Sequence, residues 1–158
     1  MKKIPSIMIV VWGIAVLCTL FLTSCKRPEV LDNSTLVNSA RNVALTFGPA
    51  YVPFFKEANV SDVQVFKKKD YGGDSRPQIR KQIGRKFYTV TFTYDSTAVK
   101  FDFGFAARVR IWKDTGEPLD VIFGNGWGRN FFFLSFKEQT DHSPNDYEKV
   151  ASDSIVKV

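Results

Sequence analysis

The sequence predicts an α+β domain in which an N-terminal amphipathic helix packs on a curved antiparallel meander of four or five strands. Apolar residues between positions 36 and 47 recur at helical spacing, whereas from about position 62 onward the apolar period is two. Short turns rich in glycine separate the later apolar runs. An amphipathic helix and an alternating sheet each need a partner to bury their apolar side, so the helix should cover one face of the sheet.

The N-terminus carries the features of an export signal. Lys2-Lys3 are followed by an uncharged apolar run from Ile4 to Leu22 and by the small residues Thr23-Ser24, directly before Cys25. This layout resembles the signal of bacterial lipoproteins, in particular those of Bacteroidota. The resemblance implies that residues 1–24 are removed, that Cys25 is acylated, and that the lipid holds the mature chain in the cell envelope.

A retained membrane-spanning helix is the alternative for this segment, since about 20 apolar residues can cross a bilayer. Positive charge lies on both sides of the run, at Lys2-Lys3 and at Lys26-Arg27, which weakens the charge bias that would orient such a helix. Cys18 is a poorer lipidation site, because the bulky Leu17 precedes it. Both interpretations place residues 26–158 outside the cytoplasm.

The composition of the mature part limits the classes of function. Residues 25–158 have the length of one domain and contain 20 Lys and Arg against 16 acidic residues, a net charge near +4. An exported protein seldom meets nucleic acid, so this excess favours an anionic envelope surface or an acidic partner. With Cys25 lipidated, no cysteine remains for a disulfide, a thiol nucleophile or a metal site. Fourteen phenylalanines supply a large apolar core.

The first element after a tether over residues 25–33 is a helix that ends at Gly48-Pro49, with Asn33 or Ser34 as its N-cap. The single domain is expected over residues 34–137. The apolar face of this helix consists of Leu36, Ala40, Val43, Ala44 and Phe47. Beyond the break, residues 51–58 form a second helical segment or continue the first with a kink.

The strands are predicted from alternation. Val63 and Val65 give a weak strand signal, and residues 70–84 read as a long loop with a helical turn near 78–82. Residues 88–94 alternate apolar side chains with threonine. Residues 99–111 are apolar at every odd position, which predicts one long strand with a bend or bulge near Gly104. Its odd positions should be buried, and the even positions, Arg108 and Arg110 among them, should be exposed.

The remaining elements are a hairpin loop over residues 113–117, a strand from Leu119 to Phe123, a glycine-rich turn over 124–128 and a last strand from Asn130 to Phe136. Residues 138–158 are polar and are expected to form a flexible tail. The order of a helix followed by a meander is similar to that of cystatin-like and NTF2-like domains. This similarity concerns architecture, and it carries no function.

Catalytic groups are scarce. His142 is the only histidine and lies in the polar tail, which disfavours a catalytic triad and most zinc sites. The glycine-rich turn lacks the lysine and the following helix of a phosphate-binding loop. Paired carboxylates could hydrolyse glycosidic bonds. The candidates fall in turns or on polar strand faces, where solvated acids are expected: Asp95, Asp102, Asp114, Glu117 and Asp120.

Two features favour binding. Trp127, Phe131 and Phe133 belong to an aromatic cluster whose rings cannot all face one side of a strand, so at least one needs cover from the helix, the tail or a partner. Lys67, Lys68 and Lys69 begin a basic segment suited to an anionic partner, unless the acidic tail balances it.

Ser96 and Ser154 lie in short motifs similar to the O-glycosylation signal of exported Bacteroidota proteins. Lys26 is not the aspartate that implies retention in the inner membrane of enterobacteria, so attachment to the outer membrane facing the periplasm is expected. The sequence thus predicts a non-catalytic envelope lipoprotein that binds a protein, glycan or lipid, with no cofactor and no nucleic acid. A glycan hydrolase and a purely structural envelope protein are the alternatives.

Overall fold

The computed structural model of the chain describes residues 31–72 and 76–140 and the backbone of 156–157. Its helices are α1 (Asn33–Phe47), α2 (Pro77–Arg80) and α3 (Phe136–Thr140), with 3-10 turns at Pro49–Phe54 and Lys68–Tyr71. Its strands are β1 (Ala58–Val60), β2 (Gln64–Val65), β3 (Lys86–Phe92), β4 (Val99–Lys100), β5 (Ala107–Trp112), β6 (Pro118–Phe123), β7 (Gly128–Asn130) and β8 (Val156–Lys157). The α+β class is confirmed.

Six of the strands form one antiparallel sheet in the order β1-β3-β5-β6-β7, and β2 also pairs with β3. Val90 of β3 lies opposite Val109 of β5, which lies opposite Val121 of β6. The short strands β4 and β8 pair with each other outside this sheet. The meander of β3, β5, β6 and β7 is therefore the frame of the domain, with β1 and β2 along one edge.

Helix α1 is set by its apolar spacing. All five residues predicted for its apolar face are buried, and Gly48 ends it. The N-cap is Asp32, whose side chain accepts a hydrogen bond from the Thr35 amide. The prediction of Asn33 or Ser34 as the cap is therefore wrong, and the helix begins slightly earlier in the chain. The second helical segment ends at Phe54, and Ala58 lies in β1 rather than in a helix.

The main core lies between α1 and one face of the sheet. Leu36, Val43 and Phe47 of the helix share one buried cluster with Val90, Val109 and Val121. Tyr51 extends this cluster by stacking on Phe123, with ring centroids 4.6 Å apart.

A second, smaller core lies on the opposite face of the sheet. It consists of Phe66, Ile79, Phe87, Trp112 and Leu119. Phe87 and Trp112 face each other across β3 and β5 on the side away from α1. Residues just before and within the predicted loop cover them: the ring centroid of the buried Phe66 lies 5.7 Å from that of Trp112, and the buried Ile79 belongs to the same cluster. The predicted helical turn in this segment is α2.

Residues 99–111 are not one long strand. The chain bends over residues 101–106, between β4 and β5. Phe103 is 45% exposed although an odd position was predicted to be buried, and the even-numbered Ala106 is fully buried. The bend removes strict alternation, because no strand of the described residues pairs with residues 101–106 in a ladder.

The last strand also differs from the prediction. Strand β7 ends at Asn130, and residues 131–135 are irregular. The reason is that successive phenylalanines are needed in different places: Phe131 packs on Phe47, and Phe132 packs on Phe66. Residues 138–140, assigned to the tail, belong to α3, and the tail from 141 to 155 lies outside the described residues.

Candidate functional site

The sheet face opposite α1 carries a cleft with a volume of about 850 Å³. Two rows of cross-strand neighbours form its floor. Thr91, Arg108 and Ile122 make one row, and Thr89, Arg110 and Asp120 make the next. These side chains meet because residues opposite each other in an antiparallel ladder point to the same face.

In the second row the charges compensate each other. Arg110 and Asp120 are both largely buried and form an ion pair in which the guanidinium donates hydrogen bonds from Nε and Nη2 to the carboxylate. Burial alone would lower the pKa of Arg110, but the hydrogen bonds to Asp120 and its negative charge outweigh burial and raise it. This pair is a fixed, neutral part of the floor.

In the first row neither cross-strand neighbour of Arg108 is acidic. Its cross-strand partners are Thr91 and Ile122, and within the described part of the chain no carboxylate lies within 4.0 Å of its guanidinium. The guanidinium lies 4.2 Å from the ring centroid of Phe105. Phe105 in turn stacks on the exposed Phe103, with centroids 5.3 Å apart. A cation of the cleft therefore adjoins an aromatic pair, although neither phenylalanine lines the cleft itself.

One wall of the cleft comes from the segment after β1. Ser61 Oγ accepts a hydrogen bond from the Thr89 amide at 3.0 Å, and the Thr89 hydroxyl donates to Gln64 Oε1 at 3.2 Å. These bonds attach the segment to the sheet edge. The far end of this segment is fixed by Phe66, which is buried in the second core. The residues that follow, Lys67 to Asp70, are thereby held beside the cleft.

Lys67 and Lys69 line the rim of the cleft, whereas Lys68 is exposed but does not line it. Neither rim lysine has an ion-pair partner among residues 31–72 and 76–140. The other acid of the cleft, Asp70, accepts a hydrogen bond from the Lys67 amide at 2.6 Å. The cleft thus holds four cationic and two acidic side chains, and both acids are engaged.

The aromatic residues singled out in the sequence do not form one surface. Trp127 is half-buried and stacks on Phe123, and Phe131 packs between Phe47 and Phe136, both against the main core. Phe133 is exposed beneath Arg76, whose guanidinium lies 4.1 Å from its ring centroid. Only Phe133 of the three is predominantly a surface residue, and none of them lines the cleft.

Part of the basic segment serves the fold. Arg85 donates hydrogen bonds to both carboxylate oxygens of Asp114, at 3.0 and 2.6 Å, and lies over Trp112. These hydrogen bonds, more than the positive charge of Arg85, lower the pKa of Asp114. Arg85 thereby joins the loop before β3 to the hairpin loop, in which Gly116 has the predicted left-handed conformation.

The other carboxylates suggested by the sequence lie outside the cleft. Asp95 accepts hydrogen bonds from the side chain and backbone of Thr97, which lower its pKa, and Asp102 is exposed. Ser96, a predicted glycosylation site, is exposed in the same turn as Asp95. Of the paired-carboxylate candidates, the cleft contains Asp120 alone.

Cys25, His142 and Ser154 lie outside the described residues. Among the residues that the structure describes, no group of three or more potential ligand side chains could hold a metal ion, and no helix has the length and apolarity needed to cross a membrane.

Sequence reasoning did not find the cleft. It assigned Arg108 and Arg110 to a solvated polar strand face and the lysines to a separate loop. The one available signal was Phe66, a large apolar residue directly before three lysines, which marks where that loop returns to a core. Searches with protein-family models, among curated proteins and among solved structures return no match to this chain.

Proposed function

We propose that the protein is an envelope lipoprotein, anchored by lipid on Cys25 in the outer membrane, whose domain binds an anionic partner in the cleft without catalysing a reaction. The observation that carries this proposal is the excess of positive charge around one concave surface, where Arg108, Lys67 and Lys69 form no ion pair with any residue that the structure describes. Clefts lined by charges of one sign concentrate ligands of the opposite sign.

Binding is favoured over hydrolysis by the state of the carboxylates in the cleft. A general acid or base must be able to exchange a proton with its substrate. Asp120 is held by Arg110, and Asp70 accepts the Lys67 amide. Neither acid is positioned as the partner of a second free carboxylate, which glycosidic hydrolysis requires.

The test is affinity capture of the full lipidated protein from native membranes. The cleft variant carries Lys67→Glu and Lys69→Glu, the control carries Lys113→Glu in the exposed hairpin loop, and Phe133→Ala probes the remaining exposed aromatic residue. We expect the cleft variant to recover at least tenfold less partner than the wild type, and the other two to match the wild type. Mass spectrometry of the captured material assigns the partner to protein, glycan or lipid.

Equal recovery by the wild type and the cleft variant would refute the proposal. Loss of the partner with Phe133→Ala alone would move the binding surface to the aromatic residue beneath Arg76. Recovery of no partner by any variant would favour the purely structural role.

A further inference from the structure

We propose that the ligand of the cleft is an acidic saccharide, a sugar chain that carries carboxylate or phosphate groups. This inference rests on the proposed function, because it names the ligand of the same cleft. The anionic group lies between Arg108 and the rim lysines, and the sugar ring lies along the floor towards Phe103.

The size and polarity of the cleft fit such a ligand. A volume of about 850 Å³ falls in the range of about 300–1,000 Å³ that is usual for small-ligand sites. Hydroxyl and amide side chains of Ser61, Gln64, Thr89 and Thr91 account for much of the lining. An acyl chain would leave the Thr91 hydroxyl and the Gln64 amide nitrogen without partners, at the cost of their lost hydration.

Two polar groups in the cleft still have bonding capacity. The Thr91 hydroxyl makes no hydrogen bond to any described residue, and the Gln64 side chain uses only its oxygen, as acceptor for Thr89. The Thr91 hydroxyl can both donate and accept a hydrogen bond, and the Gln64 side chain can donate from its NH₂ group. Ring hydroxyls of a sugar supply the complementary groups at several positions around one ring.

The aromatic pair beside Arg108, outside the cleft lining itself, provides the third element of recognition. Phe103 is 45% exposed, and its ring stacks on Phe105, the residue that contacts the Arg108 guanidinium. An aromatic face is negative at its centre and attracts weakly positive C–H groups such as those on the flat face of a sugar ring.

The test is a binding titration of the full lipidated protein reconstituted in detergent-free phosphatidylcholine nanodiscs. The probes are uronate-bearing and phosphate-bearing oligosaccharides, neutral oligosaccharides of equal length, phosphatidylglycerol vesicles, an acidic peptide and inorganic phosphate. We expect at least one acidic oligosaccharide to bind at least tenfold more tightly than its neutral counterpart and than the other three probes. Arg108→Gln should weaken that binding at least tenfold, Thr91→Val and Phe103→Ala several-fold, and the control Lys113→Gln not at all.

The inference is overturned if no acidic oligosaccharide exceeds its neutral counterpart, or if vesicles, peptide or inorganic phosphate bind as tightly and with the same dependence on Arg108. It fails separately from the proposed function. If the membrane capture still depends on Lys67 and Lys69 but yields a protein or a lipid, the cleft is a binding site and its ligand is not a saccharide.

Discussion

Phe92 and Phe103 have the same side chain and opposite surroundings. Phe92 is fully buried and stacks on Phe55 at 4.2 Å, whereas Phe103 is partly in solvent. We therefore expect Phe92→Ala to lower the free energy of unfolding by about 3 to 5 kcal/mol. Phe103→Ala should lower the free energy of unfolding by less than about 1.5 kcal/mol, because it removes one aromatic contact and loses less buried apolar area than Phe92→Ala does. Urea unfolding measures both, and equal losses would contradict the bend assigned to residues 101–106.

The ion pair of Arg110 and Asp120 belongs to the same scale. Asp120→Ala leaves a largely buried guanidinium without its carboxylate and should cost about 3 to 5 kcal/mol of unfolding free energy. The double variant Arg110→Met with Asp120→Leu removes both charges and should recover most of that loss. A double variant no more stable than Asp120→Ala would show that the two residues act independently, contrary to the geometry of the floor.

At the scale of elements, the turn between β6 and β7 depends on close approach of the backbone to residues 101–105. A Cβ added to Gly124 would lie 2.5 Å from the Phe105 carbonyl oxygen and 2.6 Å from Phe101 Cγ. Gly124→Ala should therefore lower the free energy of unfolding by about 1 to 3 kcal/mol through overpacking. Gly104, with no atom within 4 Å of an added Cβ, is the matched control. Similar losses for both alanine variants would contradict this packing.

The elements that sequence predicts well are those whose pattern is local. Helix α1 follows from five apolar residues at helical spacing, and the hairpin loop follows from one left-handed glycine. The bend near Gly104 was predicted correctly, but one continuous strand over 99–111 and a last strand over 130–136 were wrong, because distant contacts decide them. Phe131 and Phe132 are neighbours in the chain, yet they pack on Phe47 and Phe66, at opposite faces of the sheet.

The cleft escaped prediction for a similar reason. Alternation correctly assigned Arg108 and Arg110 to the polar side of a strand, but it treats that side as facing solvent. The side becomes a concave surface only when the segment around Phe66 crosses it, and a second core on a nominally polar face leaves little periodic signal.

At the scale of the whole molecule, the proposal that lipid on Cys25 anchors the domain to a membrane makes a direct prediction. Metabolic labelling with a clickable palmitate should mark the wild type and leave Cys25→Ala unlabelled, because the proposed acylation site is this cysteine. Each buried CH₂ contributes about 0.8 kcal/mol, so several acyl chains on one residue would give stable attachment to the membrane. Cys18→Ala is the control and should label like the wild type. Equal labelling of Cys25→Ala would contradict lipidation at this residue.

The central claim is that the face of the sheet opposite α1 holds the partner in the native envelope. Site-specific photocrosslinking tests it most directly, with a photoreactive residue in place of Val65 at the cleft or of Leu45 on α1. The two positions are matched, since both side chains are apolar and are 42% and 48% exposed, and only Val65 lines the cleft. We predict a crosslinked product in cells from position 65 that disappears with Arg108→Gln, and none from position 45. A product from position 45 alone, or one from position 65 that is indifferent to Arg108, would contradict the account.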